Sequence, residues 1–436
     1  MIARIAWKNI WFKPLNTALS IILLTASVAI ITLLILLEEQ FEKQFDSNID
    51  NIDLVLGAQG SPLQLILSSV YQVDAPTGNI DYTEAKTWMK HRFVQTAVPL
   101  AFGDNYRGFR IVGTTPDYLT VYGKGVKEGK VFAENFQVVI GSAIAQKMNI
   151  KVGDKFFGSH GDAAEGELHE DHAYIVTGIA APTGKVIDNL ILCNVPSVWA
   201  MHDEEGHEHT EGEERHPDGA GDYSHDNEST LTDGHDHDAV AENEHHHEEE
   251  ISEEGKEITA VLIKFRSKMG IVMWPRLIAQ NTKMQAASPA IEINRLFSLF
   301  GIGLQALQYL AYGIMFISGI SIFIALYNTL KERKYEFALL RVNGASRLQL
   351  LWLVLIESLL LCITGFIFGT IVGRVGLSLI SGQSESEFKM SFNPFEFVWQ
   401  KEGYLFGLTI FVGILAAVLP AVKAYRLNIS KTLANA

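Results

Sequence analysis

Ten of the fourteen histidines stand within residues 202–257, at His202, His207, His209, His216, His225, His235, His237, His245, His246 and His247. Two His-x-His pairs, His207/His209 and His235/His237, place imidazoles on alternate residues among carboxylates, and His245, His246 and His247 follow as a run. Imidazole nitrogen beside carboxylate oxygen suits Zn²⁺, Ni²⁺ or Cu²⁺. These seven histidines are the candidate metal ligands, with Zn or another divalent metal as the occupant. The competing reading is a solvated insertion whose histidines hold nothing. Upstream, His160, His169 and His172 form a sparser cluster that either extends the site or lines a polar loop.

Other chemistries are missing from the sequence. None of the Gly-Lys pairs, at Lys124, Lys130, Lys185 and Lys256, is followed by Ser or Thr, so no Walker A phosphate loop is present. There is no GxSxG, and His169-Glu170-Asp171-His172 is one residue short of a zincin HExxH. The chain therefore carries no ATPase motif of its own and does not read as an enzyme.

The formal charge of −15 misdescribes most of the chain. Residues 202–257 hold 22 Asp and Glu against 2 Lys and Arg; the remainder carries 33 basic and 28 acidic residues. So dense a charge with so few apolar residues cannot bury a core, and an acidic, His-rich disordered insertion is expected at 202–257. Cys193 and Cys362 are far apart, and the second lies in an apolar run, so no disulfide framework is expected.

Four apolar stretches organise the chain. Residues 1–14 form a basic cytoplasmic interfacial helix, with Trp7, Ile10 and Trp11 on one face and Arg4 and Lys8 beside it. Residues 15–37 carry no charge and can span ~30 Å of hydrocarbon as the first membrane helix. Arg4, Lys8 and Lys13 before it, against Glu38, Glu39 and Glu42 after it, put the N-terminus inside. The uncharged run 296–330 would be about 50 Å of helix, so the second span carries a stalk extension. The third span is expected at 350–380, an outer loop at 381–402, the fourth span at 403–422 and a cytoplasmic tail at 423–436. Glu357 lies within the third span, as a relay, an ion site or a helix contact. Gly365, Gly369 and Gly373 recur every four residues and permit close helix packing.

Residues 38–295 then lie outside, as an extracytoplasmic domain with stalk ends. Asp81 with Glu84 opens a helix in capping-box fashion. The β-rich runs GFRIVGTT, QVVIGSAIA, AYIVTGIAA, NLILCNV and ITAVLIKFR follow, divided by Gly and Pro. The pattern is an α+β domain inserted between membrane helices 1 and 2.

Between the second and third spans lies KERKYEFALLRVNGASRLQL, residues 331–350. Its excess of Lys and Arg marks the cytoplasmic side. Tyr335, Ala338, Leu339 and Val342 recur at helical spacing, and Gly344 ends the pattern. The loop 331–349 is thus a short amphipathic docking helix.

This stretch resembles the FtsX-like permease signature through Arg333, Glu336, Leu340, Arg341, Gly344, Ala345 and Ser346, then Glu357 in the following helix. Pro420, Ala421, Ala424 and Arg426 are similar to the family's closing motif, and the opening IAWKNIWFKPLNTALSIILL to its first segment. Asn343 stands where the family usually has an apolar residue. The resemblance implies a MacB-type or lipoprotein-releasing ABC permease without a fused ATPase, with a MacB-type periplasmic core-like domain, in the bacterial inner membrane. It implies ATP and Mg on a separate ATPase subunit, and two permeases with two ATPases per complex. Lys334, Tyr335, Glu336, Ala338, Leu339, Arg341, Val342, Gly344 and Ala345 would couple to that ATPase. Glu357, Gly365, Gly369 and Gly373 would serve helix packing. Membrane lipids and a periplasmic or outer-membrane protein are further expected partners, and nucleic acid is not. The function implied is export or release of a substrate, with divalent-metal homeostasis as one setting. The alternatives are an FtsX-like regulator of an extracytoplasmic enzyme, or a metal-sensing membrane protein.

Overall fold

The computed structural model describes residues 14–159, 172–208, 253–387 and 392–427, the side chains of 202–208 and 383–387 excepted. The expected interfacial helix at 1–14 falls almost wholly outside these residues. The chain divides into a helical unit made from its two ends and an α/β unit, Asn51–Pro289.

Helix α1, Pro14–Ile49, is 36 residues long. At 1.5 Å per residue it measures about 54 Å, well beyond the hydrocarbon thickness. It continues past the uncharged stretch because no Gly or Pro interrupts Glu38–Ile49.

The α/β unit begins with β1 (Leu54–Ala58) and α2 (Pro62–Ser69). The apolar run from Leu54 divides at Gly-Ser-Pro, where Ser61 caps the helix by accepting from the Gln64 amide and Pro62 supplies its first turn. Next come β2 (Ile80–Asp81) and α3 (Tyr82–Met89). The Asp81 carboxylate accepts from the Glu84 amide at 2.7 Å, which is the N-cap half of the expected capping box. The chain then forms β3 (Val94–Tyr106), β4 (Phe109–Thr114), α4 (Asp117–Tyr122), β5 (Val126–Gly129) and β6 (Gln137–Ile140). QVVIGSAIA is only half strand, since α5 occupies Ser142–Met148. Gly141 sits against the Asp188 carbonyl, where a Cβ would collide, and this close backbone crossing ends β6.

Strands β7 (Lys155–Phe156), β8 (Tyr174–Ala180) and β9 (Ile191–Asn194) lead into α6, Val195–Glu208. After the acidic stretch come β10 (Glu257–Ile258), β11 (Ala260–Phe265), α7 (Met269–Asn281) and β12 (Met284–Ala287). The expected insertion is therefore too broad at 202–257. Its first seven residues continue α6, whose Trp199 donates to the Glu257 carbonyl at 2.7 Å, and Glu253 pairs with Lys86.

One mixed sheet runs β12-β1-β11-β3-β4-β9-β6-β8-β5, with β7 beside β8. The β4/β9 and β6/β8 pairs are parallel, and a small β10/β2 sheet stands apart. The first and last strands of this inserted unit pair directly, Val55 opposite Ala287. That is how a domain can be inserted between two helices, since its ends must meet. Leu54, Leu56, Ile111, Ile140, Val261 and Ile263 fill its core.

The helical unit resumes with α8 (Pro289–Glu332), α9 (Lys334–Val342), α10 (Arg347–Glu387) and α11 (Trp399–Tyr425). Helices α1, α8, α10 and α11 are long and apolar enough to cross a membrane. The outer connection is shorter than 381–402, because α10 continues to Glu387 and α11 begins at Trp399.

Candidate functional site

Helix α9 is set between α8 and α10 by local hydrogen bonding that the sequence encodes. Gly344 adopts φ +95°, a left-handed conformation. Its amide donates to the Arg341 carbonyl at 3.2 Å, and the Ala345 amide donates to Leu340 at 3.0 Å. These two bonds make a Schellman stop, which needs a glycine at this position. Ser346 then caps α10: its hydroxyl accepts from the Gln349 amide at 3.2 Å, while its own amide donates to Gln349 Oε1 at 2.7 Å. Gly-Ala-Ser is thus a stop followed at once by a start. Asn343 occupies the exposed C-cap between them, where no apolar contact is required. Arg341 donates to the Ala345 carbonyl at 2.6 Å, and Arg333 to Glu336 at 2.7 Å, which fixes both ends of the helix.

The two faces of α9 differ. Phe337 and Ala338 are buried, and Phe337 joins the core of the helical unit with Leu330, Leu350 and Leu353. Tyr335, Leu339 and Val342 are 52%, 47% and 59% exposed and lie on the opposite side. Ala338, read as part of the docking stripe, is buried and inaccessible. Phe337 was missed because it falls outside the stripe; an aromatic on the second face of so short a helix is the available signal for an anchor. The Ser346/Gln349 pairing was also legible, as Ser-x-x-Gln directly after a terminating glycine.

The bundle behind α9 is closely packed. Helix α10 lies against α1 and α11. A Cβ added at Gly365 would meet Leu24 Cδ2 at 2.6 Å, at Gly369 Val28 Cβ at 2.5 Å, and at Gly373 the Ala29 carbonyl oxygen at 2.7 Å. The three glycines therefore form the groove that receives α1. Ser358 donates to the Gly413 carbonyl at 2.7 Å, tying α10 to α11. Glu357 is buried. On α11, Pro420, Ala421 and Ala424 are buried, with Ala421 and Ala424 in the same core as Phe337.

One functional-looking pair was not anticipated. Arg374 donates to both Glu402 oxygens at 2.7 and 2.8 Å and to the carbonyls of Pro394 and Glu396 at 2.8 and 2.7 Å. Glu402 is buried and also accepts from the Val398 amide at 3.3 Å. The legible signal was an arginine within an apolar run, which needs a carboxylate partner.

His209, His235, His237, His245, His246 and His247 lie outside the described residues, as does the side chain of His207. His160 and His169 lie outside them too, and His172 stacks on Phe136 with ring centroids 4.5 Å apart. Among the described residues, no group of three or more His, Cys, Asp or Glu is arranged to hold a metal ion.

Comparison with known proteins follows the division of the chain. Residues 309–429 match the FtsX-like permease C-terminal domain, and residues 17–217 match the MacB-like periplasmic core domain. An uncharacterized ABC transporter permease protein of Mycobacterium tuberculosis is 31% identical over 150 residues, which is 32% of this chain and 17% of that protein. The chain thus spans about a sixth of the length of this curated relative. The crystal structure of the periplasmic region of MacB from Actinobacillus actinomycetemcomitans aligns with a TM-score of 0.33 at 10% identity, covering 57% of this chain and 95% of that one.

Proposed function

The chain belongs to the FtsX-like and MacB-type ABC transporter permeases, multi-pass proteins of the inner membrane, and we propose that its α9 receives the stroke of a separate ATPase. The observation that carries this reading is a helix anchored on one side and apolar but exposed on the other. Phe337 locks α9 to the membrane helices, so force on its outer face is passed into α8 and α10. Tyr335, Leu339 and Val342 offer that face to a partner, with the charges of Lys334 and Glu336 beside it. Two such permeases with two ATPases would move the extracytoplasmic unit to export or release a substrate.

Leu339→Asp tests this. A charge placed in a buried contact without a partner costs several kcal/mol, roughly a hundredfold or more in affinity. Co-purification of the ATPase with the variant should fall accordingly, while membrane abundance stays at the wild-type level. Full association with full ATP-dependent activity would make α9 an ordinary cytoplasmic connection. Because Leu339 is exposed in the chain alone, its replacement leaves the bundle core untouched.

We further propose, from composition, that the stretch 202–257 binds a divalent cation through His207, His209, His235, His237, His245, His246 and His247. Calorimetric titration of the detergent-solubilised chain with Zn²⁺ should lose most of its heat when residues 209–252 are deleted. Equal binding with and without them would dismiss the metal reading.

A further inference from the structure

The seam between α8 and α11 ends in two cations, Lys331 and Lys423, that the ATPase reading leaves unused. Gly319 of α8 allows the close approach: a Cβ there would lie 2.8 Å from Val412 Cγ1 of α11. About two turns further along α8, Tyr327 meets Lys423. The Lys423 ammonium donates to the Tyr327 hydroxyl at 2.7 Å and lies 4.2 Å from the ring centroid. Lys331 follows Tyr327 by one helical turn, and the charges of both Lys331 and Lys334 act on the same hydroxyl. Among the described residues, no carboxylate forms a salt bridge with Lys331, Lys334 or Lys423. Like charges that act on one hydroxyl raise the potential there and favour an anion.

The approach to these cations is apolar on both sides. Phe316, Ile320 and Ile324 are exposed along α8 at four-residue spacing, in line with Tyr327. Phe411, Leu415, Leu419 and Val422 are exposed along α11 and lead to Lys423 and Arg426. These rows lie within helices that cross the membrane, so hydrocarbon and not a soluble protein is what they meet. The cations stand where the rows end, on the side that the Lys and Arg excess marks as cytoplasmic. Basic clusters between membrane helices on that side hold anionic headgroups.

We propose that the α8–α11 seam is a binding site for an anionic phospholipid. Lys423 and Lys331, with the Tyr327 hydroxyl, hold the headgroup phosphate, and the exposed rows take the acyl chains. Tyr327 serves twice, as a donor and as the ring that keeps the Lys423 ammonium at the seam. Nothing in this assignment depends on α9 meeting an ATPase.

The test is native mass spectrometry of the full chain in detergent, with equal amounts of phosphatidylglycerol and phosphatidylcholine added. The wild type should retain phosphatidylglycerol about tenfold over phosphatidylcholine, as two converging lysines allow. Lys331→Gln with Lys423→Gln should abolish the preference, Lys423→Gln alone should lose most of it, and Tyr327→Phe should lose less. Arg347→Gln, an exposed charge outside the seam, should leave the preference intact. The proposal is overturned if the lysine variants keep the wild-type preference, or if Arg347→Gln lowers it equally. Displacement of phosphatidylglycerol by inorganic phosphate alone would also overturn it, because the acyl rows would then contribute nothing. Elution volume on size exclusion checks folding, and Lys423→Gln removes no buried group, so it remains decisive should the double variant not be recovered.

Discussion

Where α10 passes to α11, the connection is folded onto its own helices. Arg374 reaches across to Glu402 with two hydrogen bonds from one terminal nitrogen and gives two more from the other to carbonyls of the connecting segment. Gln40 of α1 exchanges hydrogen bonds of 2.8 and 2.7 Å with the Asn393 backbone, and Lys401 pairs with Glu39. Exposed Phe397, Trp399 and Tyr404 surround this end, as aromatics do at a membrane interface. Where α8 passes to α10, the connection is a helix that satisfies its backbone locally and leaves Tyr335, Leu339 and Val342 outside. Both connections belong to one bundle, yet among the described residues only the first is bonded back onto three of the membrane helices. A connection tied back to its helices by such bonds holds a geometry. One that keeps an apolar face free offers a contact.

The contrast breaks most severely at Glu402. Removing one member of a buried, hydrogen-bonded ion pair leaves the other charge uncompensated, at about 3–5 kcal/mol. Glu402→Ala should therefore lower the thermal unfolding temperature of the purified chain more than any substitution on the exposed face of α9. Replacing both partners with Arg374→Met and Glu402→Leu should recover much of the loss, because the desolvation cost disappears with the charges. If the double variant is as unstable as the single one, the pair is not what closes this end. The exposed pairs Lys43–Glu396 and Lys401–Glu39 should matter far less, at ~0–1 kcal/mol each.

A smaller effect is expected in the groove shared by α10 and α1. Gly369→Ala forces a methyl group onto Val28 and within 3.0 Å of the Thr25 carbonyl oxygen. Overpacking of this kind costs about 1–3 kcal/mol. Gly376→Ala, two turns along the same helix, meets nothing nearer than Leu33 Cδ1 at 3.9 Å and should stabilise by roughly 0.5–1 kcal/mol, the gain in helix propensity alone. Equal melting temperatures for the two variants would show that α1 is not seated on the glycine row.

What the sequence disclosed and what it withheld divide along the range of the interactions. The stop at Gly344 and the cap at Asp81 depend on neighbours within four residues, so spacing alone revealed them. The glycine row was visible as a repeat, although its partner, α1, was not. The Arg374–Glu402 pair escaped because its members come from different helices, with Glu402 assigned to a loop that is in fact the first turn of α11. Phe337 escaped for a related reason: one apolar stripe explains an amphipathic helix, and a second buried face appears only when neighbouring helices supply its surroundings. Cys193 and Cys362 are both free and buried, as their separation in the sequence implied. Burial pushes the Cys193 thiol well above its ordinary range, so it should resist alkylation until the chain unfolds. The histidine stretch shows the opposite case, where composition names ligands but carries no geometry.

The finest test of the open connection is a single methyl group placed at two glycines. At Gly344 the obstacle to alanine is conformational, since no heavy atom lies within 4 Å of a Cβ there and φ is +95°. An L-residue in that region is destabilised by about 1 kcal/mol. At Gly313, inside α8, a Cβ also meets nothing within 4 Å, but the backbone is helical. There alanine should stabilise by roughly 0.5–1 kcal/mol, because glycine is the poorer helix former. One substitution thus has opposite signs at two equally uncrowded positions, and thermal unfolding of the two variants reads the sign directly. Gly344→Ala should also weaken ATPase co-purification by a few-fold at most, since the strain loosens the end of α9 without altering Leu339. A Gly344→Ala variant as stable as the wild type would mean that the left-handed stop is not needed to hold α9 between its neighbours.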